Sequence, residues 1–120
     1  MNEQESFKNR RRYERIPCSL SVLLEGKDET LNGESVDISE RGIRLIVDKM
    51  PKINSRFTLT FRSDEDLKDT TIKANLLWVR TEVSGDKFMS GFFFPKISKS
   101  DSNKLLKFLR KHIEILGLDK

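Results

Sequence analysis

Two short stretches hold the residues best suited to chemistry. Arg10-Arg11-Arg12-Tyr13-Glu14-Arg15 concentrates guanidinium near the start, and Asp37-Ile38-Ser39-Glu40-Arg41-Gly42 puts a carboxylate, a hydroxyl and a glycine into one tight turn. Guanidinium is a planar fork that fits phosphate oxygens and the O6/N7 edge of guanine. A carboxylate has only lone pairs to offer, so it suits the N–H groups on guanine's other edge. Together the stretches fit a ligand that is both anionic and guanine-bearing. Singly they do not: an Arg run is a solvated basic arm, and Asp or Ser in a turn bonds its local backbone.

Charge distribution sharpens this reading. The whole chain carries +4, and residues 7–15 alone hold Lys8, Arg10, Arg11, Arg12 and Arg15 against Glu14, an excess as large as that of the full sequence. A local anion site is favoured over a broad nucleic-acid surface. At 120 residues, 36% of them hydrophobic and 35% charged, the chain reads as one globular domain with a modest core. No stretch is long and apolar enough to span a membrane, and Met1-Asn2-Glu3-Gln4-Glu5 lacks the order of a signal peptide. A cytoplasmic location is expected. The lone Cys18 agrees, since it has no internal disulfide partner.

The elements that must position these residues alternate with period two. Ile16, Cys18, Leu20, Val22 and Leu24 share one face of a first strand, with Leu23 the exception. A second strand covers Leu31 to Ile38. Ser39 to Gly42 then forms a turn in which Gly42 supplies backbone freedom. Ile43, Leu45 and Val47 face inward on a third strand, and Phe57, Leu59 and Phe61 on a fourth. The acidic segment Ser63–Asp69 reads as a solvated loop. Ile72, Ala74, Leu76 and Trp78 mark the apolar face of a fifth strand, which puts Trp78 in the core. Gly85-Asp86 turns into a sixth strand, Phe88 to Phe94, on which Phe93 opposes Phe92 and Phe94. The period then becomes helical: Ser100-Asp101-Ser102 can cap a start, Leu105, Leu109, Ile113 and Leu116 form a stripe, and Gly117 is a stop. The fold class expected is mainly β, a small six-stranded antiparallel barrel with a C-terminal α-helix as lid. The organisation expected is a flexible arm over residues 1–9, one domain over 10–117 and a tail over 118–120. By alternation Asp37 and Ser39 point outward, opposite Val36 and Ile38.

Arg11-x-x-x-Arg15 followed by Asp37-x-Ser39-x-x-Gly42 resembles the two-part signature of the PilZ domain, the bacterial receptor module for cyclic di-GMP. The RxxxR and (D/N)xSxxG patterns match at all five positions, and strand rhythm extends the resemblance over residues 8 to about 115. It implies ligand-binding roles for Arg11 and Arg15 on guanine and phosphates, and for Asp37, Ser39 and Gly42 at the guanine. Arg10 holds the position that the family associates with binding one ligand or a stacked pair, so it ranks as a contact too, with Arg12 behind it. The resemblance also implies no cofactor beyond cyclic di-GMP itself, no enzymatic activity, and an unidentified protein partner downstream, in motility or exopolysaccharide control. Ordering of the arm over the nucleotide would carry the signal.

Two rivals belong to other classes. A small barrel binding single-stranded nucleic acid would use basic residues with exposed aromatics, but the charge is confined and no stacking platform is evident beside it. A ligand-free adaptor of the same fold is disfavoured by the intact motifs. Catalysis has no nucleophile–base pair to rest on, and one His with one Cys gives a metal little to bind. Phe93 faces outward and can cover the helix, a partner or a second copy, so a homodimer is compatible with the sequence.

Overall fold

In a computed structural model that describes residues 15–52, 55–68, 70–82 and 85–115, the alternating segments build a sheet that closes on itself. The strands are β1 (Ile16–Pro17), β2 (Ser21–Glu25), β3 (Thr30–Ile38), β4 (Gly42–Val47), β5 (Arg56–Phe61), β6 (Thr71–Thr81) and β7 (Phe88–Phe93), followed by helix α1 (Lys99–Ile115). Every pairing is antiparallel. The ring runs β3-β2-β5-β6-β7-β4 and closes through β3–β4, with β1 outside it on β3. This is the six-stranded barrel with a C-terminal helix expected from the sequence.

The first strand departs from its expected form. Apolar residues recur at every second position from Ile16 to Leu24, yet the ladder is divided between β1 and β2. The Ser35 hydroxyl explains the break: it accepts from Leu20 N at 2.7 Å and donates to Cys18 O at 2.8 Å. A side chain thus satisfies two backbone groups that a neighbouring strand would otherwise pair.

Inside the ring the apolar faces meet as predicted. Leu24, Leu59, Ile43, Leu45 and Phe61 are fully enclosed, and Phe57 meets Phe92 edge-on with ring centroids 5.8 Å apart. Each such side chain contributes about 1.5–3 kcal/mol by leaving water. Helix α1 adds Leu105, Phe108 and Leu109 to the same core and contacts β1. Its cap is Ser98 rather than residues 100–102: the Ser98 hydroxyl accepts from Asp101 N at 3.1 Å and donates to the Asp101 carboxylate at 3.0 Å. Leu116 of the expected stripe and the expected stop at Gly117 lie outside the described residues.

The acidic segment after β5 is not simply solvated. Leu67 is wholly buried in the core, and Asp66 pairs with Lys111 of the helix at 3.5 Å and lies 4.0 Å from Lys107. One leucine among five acidic or basic neighbours gives no periodic signal, so only the fold reveals it as an anchor.

Candidate functional site

β3 is the strand on which the site is built, and a bulge sets its geometry. Ser35 pairs with Leu45 of β4, but the next pair is Asp37 with Arg44, so Val36 is the extra residue. After the bulge Ile38 and Ile43 face the core while Asp37 and Arg44 sit opposite one another on the outer face. Beyond them the chain reverses through Ser39-Glu40-Arg41-Gly42, where Ser39 N donates to Gly42 O at 2.8 Å.

Asp37 lies on the outer face but is not open to solvent. It is 5% exposed, because two arginines close over it. Arg15 Nη1 donates to Oδ1 at 3.0 Å. Arg44 Nε reaches Oδ1 at 3.0 Å and Oδ2 at 2.9 Å, and its Nη2 also meets Oδ2. The hydrogen bond to Asp37 pushes the Arg44 guanidinium above its usual range, more than its partial burial pulls it down. Two cations on one anion leave a net positive patch, and both guanidiniums keep over a third of their side-chain surface in water. Such a patch can receive an anion while the carboxylate stays paired.

The remaining predicted residues fall as follows. Ser39 is buried: its hydroxyl accepts from Arg41 N at 3.2 Å and lies 3.5 Å from Gly42 O, holding the turn. Alternation does not reach it, because β3 ends at Ile38 and the turn, not the strand pleat, encloses Ser39. Gly42 does not use the left-handed backbone freedom expected of it, since among the described residues Gly85 is the glycine with positive φ, +82°. Its need is space: a Cβ there would collide with the Phe92 carbonyl oxygen of β7. Arg10, Arg11 and Arg12 lie outside the described residues. Cys18 is half-buried beside Ser35, and burial pushes its thiol pKa up. Phe93 is 37% exposed while Phe92 and Phe94 are buried.

Trp78 is the largest departure. A second bulge, at Leu77, shifts the register between Leu76 and Trp78. Leu76 stays in the core and Trp78 moves to the outer face, 38% exposed. Its indole fills the space above Gly91, where a Cβ would overlap Nε1, Cε2 and Cζ2, and the Arg80 guanidinium lies 5.7 Å from its ring centroid. An aromatic thus does stand on the outer surface, covering β7, the strand next to that of Arg44. Sequence reasoning also missed Arg44. Its position between Ile43 and Leu45 told that it faces outward, but pairing with Asp37 needs the bulged register.

The same fold occurs in solved structures of low sequence identity. The PilZ domain of YcgR from Escherichia coli with c-di-GMP superposes with a TM-score of 0.68 at 18% identity, covering 90% of this chain and 98% of that one. The Bacillus subtilis inhibitor of motility, MotI/DgrA, has a TM-score of 0.68 at 21% identity over 88% of this chain. MrkH of K. pneumonia in its apo state has a TM-score of 0.63 at 17% identity over 90%. The chain spans about half the length of each of these last two, 52%. No curated protein matches its sequence significantly. The PilZ domain family model, in contrast, matches residues 9–111, which takes in every strand of the barrel and most of the helix: the chain belongs to the PilZ domain family.

Proposed function

We propose that this chain is a receptor for cyclic di-GMP, binding it on the outer face of β3 and β4. The observation that carries the reading is the 3.0 Å approach of Arg15 to Asp37, one residue from each motif, 22 positions apart in sequence. Two segments that each suit half of a guanine nucleotide converge on one surface. Family membership supports the same ligand, as does the likeness of fold to the YcgR domain with c-di-GMP.

The residues take distinct roles. Arg44 keeps Asp37 paired and fixed in direction. Arg15, tied to Asp37 by one contact and half in water, is the cation that can turn to a phosphate. Asp37 then accepts from the guanine N–H groups. Arg11 supplies the second phosphate or guanine-edge contact, Arg10 stacks on a base and favours a paired ligand, and Arg12 is a further contact. Ser39 and Gly42 shape the turn on which the guanine rests. Charge-assisted hydrogen bonds of about 1.5–3 kcal/mol each offset the entropy of fixing the arm across the nucleotide. The fixed arm is the signal, read by a protein partner; the ligand is bound and not turned over. The B. subtilis neighbour is an inhibitor of motility, so swimming is the first output to assay.

Titration calorimetry with cyclic di-GMP tests the reading. Arg15→Ala should weaken binding by about tenfold to a hundredfold, the loss of one or two charge-assisted contacts. Unchanged affinity in that variant would sink the assigned role, and no binding by the unaltered chain would sink the receptor reading itself.

A further inference from the structure

Phe93 stands outward on β7, over a third exposed, and the receptor reading gives it no task. Beside it on β6 is Asn75, which lines a groove of about 430 Å³ on the outer side of β5 and β6 together with Arg56, Thr58, Lys73 and Pro95. Phe93 pairs with one lining residue and stands two positions before another, Pro95, so it sits at the rim. We infer that this groove, with Phe93, is a docking site for an acidic segment of a protein partner. A carboxylate of that segment lies between Arg56 and Lys73, and a neighbouring apolar side chain rests on Phe93. This site lies outside the receptor reading and does not rest on it.

The charge of the groove follows from strand register. Arg56 pairs with Asn75 and Thr58 with Lys73. Phe57 and Ala74, between them, are buried, so the four polar residues share the outer face. Arg56 and Lys73 are diagonal neighbours on that face, at about 7–8 Å. Like charges at that separation repel. No acidic residue lines the groove, and neither cation is in an ion pair among the described residues. Arg56 also borders a hollow that holds Asp28 and Glu29, yet it pairs with neither. An incoming anion relieves the repulsion.

The exposure of the cations selects the kind of anion. A small-molecule pocket encloses its ligand and fixes its polar groups, whereas Arg56 and Lys73 are both exposed. A protein segment gains instead from charged and apolar contacts made side by side, and the groove and Phe93 offer that combination. In the ring, β5 stands across from β4 and β6 across from β3. A partner in the groove therefore leaves the outer face of β3 and β4 uncovered.

The probe is a fluorescein-labelled, glutamate-rich peptide carrying leucines, with inorganic phosphate as a second arm and no nucleotide present. Amide NMR signals of the full chain should shift saturably at Arg56, Thr58, Lys73, Asn75 and Phe93. By fluorescence anisotropy, the double variant Arg56→Gln, Lys73→Gln should bind the peptide about tenfold more weakly or worse, and Phe93→Ala should also weaken it. The double variant should keep a Tm at least as high as that of the unaltered chain, because it removes a repulsion. If Phe93→Ala fails to fold, the double variant decides alone. Undiminished affinity in the double variant overturns the inference, as does no peptide binding at low salt. Shifts confined to the Arg10–Arg15 segment or to the helix lysines Lys104, Lys107 and Lys111 overturn it too. Saturation of the groove by phosphate where the peptide has no effect gives the site to a small anion and overturns the assignment to a protein. No arm needs cyclic di-GMP, so the calorimetric test of the receptor reading succeeds or fails separately.

Discussion

The Arg15–Asp37–Arg44 cluster is asymmetric, and that asymmetry predicts an order of stabilities. Asp37 has 7% of its side chain exposed, against 42% for Arg15 and 36% for Arg44. Removing Arg44 strips away three of the four contacts to a carboxylate that water cannot easily reach. Breaking a fully buried pair costs about 3–5 kcal/mol, and a surface pair about 0–1 kcal/mol. A buried acid with half-exposed bases falls between, so Arg44→Ala should cost about 1–3 kcal/mol. For a chain of this size that lowers Tm by about 3–15 °C. Asp37→Ala leaves two guanidiniums that can turn into solvent, and should cost less, about 1 kcal/mol or under. The double variant should recover part of the loss seen in Arg44→Ala, because the stranded carboxylate is gone. Urea denaturation of the three variants, with equal m-values, measures this. If Asp37→Ala proves as damaging as Arg44→Ala, and the two losses simply add, burial of the acid is not what governs the cluster.

Other outcomes follow from single contacts. Gly42→Ala forces a Cβ into the Phe92 carbonyl oxygen, and should cost about 1–3 kcal/mol by overpacking even though its φ is ordinary; a neutral result in thermal unfolding would show that β4 and β7 part easily. The Cys18 thiol has its pKa raised above the usual 9.0, chiefly by burial, so the folded state holds the proton more tightly than the unfolded chain. The stability this contributes is full below the ordinary thiol pKa and is lost as pH rises through the raised value. Reaction with a disulfide reagent at pH 8 should be slow in the folded protein and fast after denaturation; equal rates would contradict it.

The sequence revealed the barrel because five strands alternate cleanly, and because Ile43, Leu45 and Val47 or Phe57, Leu59 and Phe61 admit one inward face only. It revealed the two motifs because their residue types are chemically explicit. It concealed whatever depends on a single inserted residue. The bulge at Val36 leaves Asp37 outward yet enclosed, and the bulge at Leu77 takes Trp78 out of the core. Period-two counting has no way to register an insertion, since both strands still look regular. Arg44 was hidden for a related reason: an isolated outward arginine is ordinary until register sets it against a carboxylate. Ser35, an unremarked serine on an apolar face, turned out to divide a strand by standing in for backbone partners.

Helix α1 rests on β1, and β1 pairs with the end of β3 at Asp37 immediately after Arg15. On the receptor reading proposed above, nucleotide grip and helix seating would share two residues of strand. Linkage between two such sites would run both ways: a protein that clasped the helix and altered its seat on β1 would change ligand affinity by the same factor that the ligand changed the clasp. Such a protein would not have to touch the nucleotide to sense it, and its presence in an assay would shift the measured dissociation constant.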